Sequence, residues 1–231
     1  MRKIFRDLLL AFFAVALPGL AVAMPCDQDS LEIITTPIIE QSPLRLVLAK
    51  KFYSETGDRN VLIIGDSIAA RWSKTQALDF AGFTVANMGL HGERIQELRW
   101  RLRTIPPKVK PSRIILIIGT NNLSDKGTPG CAISGGVSSV IEDIDQQWPD
   151  ARLYIVPILP RGQAFRFRQE DRRAINLHIR ETIKSATVVA IDEEKLTCNS
   201  SGDCPNYTPD KLHLNDSGYA ILREALSAAG F

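Results

Sequence analysis

The sequence predicts an α/β fold, a three-layer α/β/α sandwich built around a five-stranded parallel sheet. Five short runs, Val61–Gly65, Thr84–Met88, Ile114–Gly119, Leu153–Pro157 and Val188–Ile191, are rich in Ile and Val on both faces. Strands that are apolar on both sides need helices above and below them. Amphipathic stretches fill the gaps, at Ala69–Phe80, Glu93–Leu102, Val137–Trp148 and Arg168–Lys184. Regular alternation of strand and helix is the pattern of parallel strands joined by right-handed crossovers.

In chain order, the first residues read as a secretory leader. Arg2, Lys3 and Arg6 give a positive start, Leu8 to Leu17 a short apolar core, and Ala21 to Ala23 a small-residue exit site before Met24. The apolar stretch is short for a membrane span, and Pro18 and Gly19 interrupt it. Residues 1–23 are therefore expected to be removed. That leaves one domain over 24–231 with no stable membrane anchor. A lipoprotein signal is disfavoured, since Pro25 rather than a small residue precedes Cys26.

The next segment is expected to be extended and irregular, because Pro37 and Pro43 break any periodicity. Leu44, Leu48 and Phe52 have helical spacing, in a helix that ends by Gly57. A final helix is expected from near Ser217 to Ala228, capped by Asn215 or Asp216. Ser124 to Gly136, rich in Gly, Pro and Ser, reads as a loop beside the third strand. No repeat or linker divides the chain.

The whole chain carries 28 basic and 26 acidic residues. The leader takes three basic and one acidic, leaving a formally neutral domain. Composition thus gives no case for a nucleic-acid partner. Four cysteines in an exported chain suggest two disulfides, with three pairings available. Cys198–Cys204 is favoured because it closes a small polar loop, which leaves Cys26–Cys131; buried free thiols are the alternative. No cysteine or histidine spacing suits a metal.

Chemistry concentrates where the apolar runs break. Gly65-Asp66-Ser67 follows the first run, Asn87-Met88-Gly89 the second, and Gly119-Thr120-Asn121-Asn122 the third, with Asp210 and His213 near the C-terminus. Open parallel sheets place their active sites at strand exits of this kind. A serine hydroxyl needs a base for its proton and donors for the oxyanion it creates. Ser67 is the candidate nucleophile, at a turn that Gly65 makes possible, with a helix starting just after it. Its own amide, the amide of Gly89 and the side-chain NH₂ of Asn121 are the candidate oxyanion donors. Gly89 suits that role because an acyl oxygen can approach an N–H with no Cβ beside it. His213 is the candidate base, and Asp210, three residues earlier, is positioned to fix its tautomer. His91 is a weaker candidate for the cleft wall. His178, in the Arg-rich helix, is expected to be solvated.

These four blocks, in this order, resemble the GDSL-like lipase/esterases, also called SGNH hydrolases, over roughly Val61 to the C-terminus. Gly65 to Ile68 is similar to the first block, with Trp72 where many members have an aromatic residue. Asn87 to Gly89 is similar to the second block, Gly119 to Asn122 to the third, and Asp210 to Asn215 to the last. The third block commonly ends in Asp, where this chain has Asn122. The resemblance implies a flavodoxin-like sheet, Ser67, Asp210 and His213 as catalytic residues, and Ser67, Gly89 and Asn121 as oxyanion hole. Pro157 to Gly162 is similar to the fourth-strand exit of the platelet-activating-factor acetylhydrolase branch, a hint toward small acyl groups. There is no Gly-x-Ser-x-Gly elbow of the ordinary α/β-hydrolases.

The expected protein is a secreted or periplasmic serine esterase, monomeric or weakly oligomeric, acting on a small-molecule or glycan ester without metal or organic cofactor. A periplasmic glycan O-acyltransferase would use the same residues, and an inactive glycan-binding module is the reading from another class. Arg161, Arg166, Arg168, Arg172, Arg173 and Arg180 crowd one region. They make either a solvated face or a patch that recruits an anionic substrate, with Arg161 the candidate contact.

Overall fold

The computed structural model describes residues 26–54, 59–72, 82–104, 109–162, 165–199 and 203–231. The predicted leader lies outside them. Five strands form one sheet: β1 (Val61–Gly65), β2 (Val85–Gly89), β3 (Arg113–Ile117), β4 (Arg152–Ile155) and β5 (Thr187–Val188). All pairs are parallel and the order is β2-β1-β3-β4-β5, the flavodoxin-like order. Gly65 is level with both Gly89 and Ile117, so β1, β2 and β3 end together. The residues that follow them emerge on a single edge.

Eight helices flank the sheet among the described residues: α1 (Gln28–Thr35), α2 (Pro43–Ser54), α3 (Ser67–Trp72), α4 (Ile95–Thr104), α5 (Thr120–Ser124), α6 (Gly130–Gln147), α7 (Gln169–Thr182) and α8 (Asp216–Ala228). Because successive side chains of a strand point to opposite faces, the apolar runs feed two cores. Leu62, Ile64, Ile114, Leu116 and Ile155 pack with Leu98, Val137, Ile141 and Ile175 on one side. Val61, Ile63, Ile115 and Ile117 pack with Ile68, Trp72, Tyr219 and Leu222 on the other. The predicted three layers are present.

Three local expectations need correction. The segment after the leader is not irregular: α1 forms there, with the Asp27 carboxylate accepting the Ser30 N–H at 2.9 Å as a cap. The stretch read as a loop up to Gly136 is helical from Gly130. Its glycines serve packing rather than turning. A Cβ on Gly135 or Gly136 would collide with Leu31 or Ile34 of α1. Helix propensity is outweighed here by the close approach of a neighbouring helix. The fifth strand keeps only Thr187 and Val188 in the ladder, with Val189 N–H adding one bond to Ile155. The predicted helix to Phe80 is described as far as Trp72, and the remainder lies outside the described residues.

Both favoured cysteine pairs are disulfides, Cys26–Cys131 and Cys198–Cys204. The first ties the approach to α1 onto the start of α6. Arg99 extends the same junction. Its guanidinium pairs with Asp143 of α6 at 2.7 Å and donates to the Thr35 carbonyl at the end of α1.

Candidate active site

Ser67 opens α3 immediately beyond β1. Gly65 holds a φ of +132° at the turn, open to glycine and strained for other residues. Asp66 then caps α3, its Oδ1 accepting the Ile68 N–H at 2.9 Å and its carbonyl the Ala70 N–H at 2.9 Å. The Ser67 N–H donates to no acceptor among the described residues. Ser67 itself is 5% exposed.

Residues 207–214 form a tight loop that brings Asp210 and His213 to this point. Tyr207 and Leu214 close it with an antiparallel bridge, and Lys211 turns it with a φ of +51°. Thr208 N–H donates to the His213 carbonyl at 2.8 Å, and Lys211 N–H to the Thr208 carbonyl at 2.9 Å. Asp210 Oδ1 accepts the backbone N–H of Leu212 at 3.0 Å and of His213 at 2.9 Å, and lies 2.8 Å from the Thr208 hydroxyl. Its Oδ2 is 2.7 Å from His213 Nδ1, and His213 Nε2 is 2.8 Å from Ser67 Oγ. An ionised carboxylate only accepts, so Nδ1 carries the proton and Nε2 is left to accept from the serine hydroxyl. Burial alone would push the Asp210 carboxyl up. The donors from His213, Leu212 and Thr208 more than offset this and hold it far below the usual carboxylate range.

The oxyanion candidates divide. Asn121, on α5, donates one Nδ2–H to the Glu93 carbonyl at 2.9 Å, which fixes the amide and leaves a second N–H. The Gly89 N–H, expected as an oxyanion donor, already has an acceptor: Asn87 Oδ1 accepts it at 3.0 Å, while Asn87 Nδ2 donates to the Ala69 carbonyl at 2.7 Å. The requirement for glycine at 89 comes from α3, since a Cβ there would strike the Ala70 nitrogen and Ala69. An oxyanion would share the Gly89 N–H with Asn87.

His91 is exposed and lines an open cleft of about 770 Å³ with Arg71, Thr208, Leu214, Ser217 and Tyr219. His178 is solvated. Asn122 serves structure: it is wholly buried, accepts the Ile95 N–H at 3.0 Å and donates to Gln96 at 2.9 Å, capping α4. Trp72 is buried and stacks on Tyr219, whose hydroxyl donates to the Ile68 carbonyl at 2.7 Å.

The arginine cluster is not a uniform surface patch. Arg172 is 1% exposed and forks onto Glu193 at 2.6 and 2.8 Å. Arg168 pairs with Asp171 and donates to the Leu123 and Thr128 carbonyls. Arg172 is an internal tie, because a buried cation needs acceptors, and half-buried Arg168 is tied to its neighbours in the same way. Arg166, Arg173 and Arg180 are exposed, and Arg161 is 7% exposed with its guanidinium 4.4 Å above the Phe167 ring.

Sequence reasoning missed Glu93, Arg101, Asn87 and Thr208. Glu93 is 1% exposed and meets Arg101 through two contacts of 2.7 Å, anchoring the carbonyl that holds Asn121. Their separation of eight residues gives no helix-pair signal of the i,i+4 kind. Asp66, fully buried, has its carboxyl pushed up to about 7. Burial is the main cause, opposed by the Ile68 N–H, with Glu93 raising it further and Arg161 lowering it.

The model of the GDSL-like lipase/acylhydrolase family matches residues 63–221, and the chain belongs to that family. The platelet-activating factor acetylhydrolase IB subunit alpha1 of Homo sapiens is 25% identical over 186 residues, 78% of this chain and 79% of its own. Subunit alpha2 of Bos taurus is 26% identical over 173 residues, 72% and 74% of the two chains. Among solved structures, a protein from Streptococcus pneumonia aligns with a TM-score of 0.68 at 24% identity, over 83% of this chain and 93% of its own. A GDSL-like lipase from Bacteroides thetaiotaomicron aligns with a TM-score of 0.62 at 16% identity, over 80% and 96%. The protein is thus an ester-hydrolysing hydrolase of this family.

Proposed function

We propose that the protein is an exported serine esterase that removes short acyl groups, of carbohydrate O-acetyl or lysophospholipid type, through a covalent acyl-serine. The single observation that carries this is the continuous chain Asp210–His213–Ser67, with contacts of 2.7 and 2.8 Å. His213 Nε2 takes the Ser67 proton as Oγ attacks the ester carbonyl. The oxyanion is received by the Ser67 N–H and the second Asn121 N–H, with Gly89 contributing once Asn87 yields part of its bond. His213 then returns the proton to the leaving alcohol, and a water molecule repeats the cycle on the acyl-enzyme.

The relatives' name, acetylhydrolase, supports a small acyl group. The two disulfides and the leader pattern support export after residue 23, into the periplasm or the medium. His91, on the wall of the open cleft, is read as a substrate contact.

A panel of neutral acyl esters, acetylated sugars and lysophospholipids, run against Ser67→Ala, tests the reading. Loss of Ser67 is expected to cut kcat by on the order of 10⁴ to 10⁶. A fluorophosphonate probe should label Ser67 in the wild type. Retention of most ester turnover by Ser67→Ala would refute the assignment.

A further inference from the structure

Arg161 is a buried cation with no carboxylate in hydrogen-bond contact among the described residues. Only 7% of it is exposed, and no acidic side chain pairs with it among the described residues. One Nη2–H reaches the Ser124 hydroxyl at 2.6 Å, and the face of the guanidinium lies on Phe167. Among the described residues, the N–H groups on Nε and Nη1 meet no acceptor, in contrast to Arg99, Arg101 and Arg172, which each fork onto a carboxylate. Neither nitrogen is a sealed, unpartnered atom, so the free edge of the fork is open to solvent and an arriving oxygen can accept from it in place of water.

Its position links it to the reacting serine. Arg161 follows β4 and His91 follows β2, and β1, which leads into Ser67, lies between those two strands in the sheet order. Ser124, its one hydrogen-bond partner, lies three residues beyond Asn121 on α5. The next residue, Gly162, donates its N–H to the Lys211 carbonyl at 2.8 Å, within the loop that carries Asp210 and His213. Asp66, which precedes Ser67, feels its charge and stabilises it in turn. Arg161 thus sits where the serine turn, the Asn121 helix and the histidine loop converge. Phe167 and Ser124 hold its planar fork in one orientation, the arrangement that suits carboxylate or phosphate oxygens.

We propose that Arg161 is a specificity-determining residue that receives an anionic group, carboxylate or phosphate, borne by the ester on the β4 side of Ser67. This deepens the esterase reading and rests on it for the identity of the reacting centre.

The test compares matched esters. One pair is mono-4-methylumbelliferyl adipate against 4-methylumbelliferyl hexanoate, with the charge on the acyl side. The other is acetylglycerol 3-phosphate against acetylglycerol, with the charge on the alcohol side. Wild type is expected to favour the charged member of one pair, which identifies the source of the anion. Arg161→Gln should lower that pair's anionic-to-neutral ratio of kcat/KM by about 10- to 100-fold, the worth of a charge-assisted fork. Arg161→Lys should fall between, since an ammonium lacks the fork. Absence of an anionic preference in wild type, a ratio unmoved by Arg161→Gln, or a ratio governed by Arg71→Gln at the other cleft would each overturn the proposal.

Binding separates this proposal from the esterase reading. Glutarate and inorganic phosphate are titrated calorimetrically into Ser67→Ala and into Ser67→Ala/Arg161→Gln. At least one of the two anions should bind the first protein and lose about tenfold or more in affinity in the second. If that loss is seen while wild type cleaves no ester and takes no fluorophosphonate, Arg161 stands and the esterase assignment falls. Binding of neither anion, or equal binding by both proteins, overturns the anion site even where ester turnover is intact.

Discussion

The side-chain amide of Asn121 is held by the backbone carbonyl of Glu93 at 2.9 Å, and Glu93 is held in turn by Arg101. A dipole that must stabilise developing charge is most effective when it does not have to reorient during the reaction. Asn121→Ala is therefore expected to lower kcat by about 10² to 10³ with little change in KM. Steady-state kinetics on a neutral ester checks this, and a change confined to KM would remove Asn121 from the oxyanion site.

Asp210 Oδ2 meets the imidazole of His213, 2.7 Å away at Nδ1. Asp210→Asn keeps the shape of the loop but not the demand for a proton on Nδ1, so kcat is expected to drop by about 10⁴. The sign for acid follows from its lowered pKa. A carboxyl held below its unfolded value of 3.8 stabilises the fold above that value, and its contribution is lost only as pH falls through the folded value. Between pH 7 and 5 Asp210 thus keeps its charge, and Asp210→Asn is expected to change stability by the same amount at both pH values in denaturant unfolding. A stability difference that shrinks between pH 7 and pH 5 would contradict this.

Asp66 has the opposite sign. Its folded carboxyl stands at about 7 against an unfolded 3.8, so its contribution to stability is complete below about pH 4 and is lost as pH rises through 7. Asp66→Asn keeps the Oδ1 acceptor for Ile68 and removes the titration. Between pH 5 and 8.5 the wild type should lose on the order of 2 to 4 kcal/mol more than the variant. Denaturant unfolding at both pH values measures the difference, and parallel pH profiles would rule the effect out.

Gly89 meets α3 so closely that any side chain must displace it. Gly89→Ala is expected to destabilise by more than about 2 kcal/mol and to shift Ser67, lowering kcat as well. Gly82, whose added Cβ would meet nothing within 4 Å, is the comparison site, although its φ of +85° adds some strain. Equal melting temperatures for the Gly89 and Gly82 variants would show that the packing argument is wrong.

The Cys26–Cys131 bridge spans 105 residues and closes most of one half of the fold. By the chain-entropy estimate its loss costs about 4 to 5 kcal/mol, against less for the six-residue Cys198–Cys204 loop. Double serine variants of each pair should differ in melting temperature in that order.

The sequence by itself determined the layer order and the chemical inventory. Apolar runs with both faces filled specify buried parallel strands, and breaks after them specify where polar groups must appear, because both follow from local periodicity. Ser67 and Asn121 were legible for that reason, and Asp210 and His213 through their separation of three residues and the resemblance of their block. Only the tertiary structure decided how those groups are held. Asn87 occupies the Gly89 amide, Glu93 and Arg101 orient Asn121, and α1 turns a glycine-rich stretch into helix by packing on it. Each of these depends on contacts between elements distant in the chain or on the direction of a single side chain. A one-dimensional pattern carries neither, since burial and hydrogen-bond partners exist only once the layers have closed.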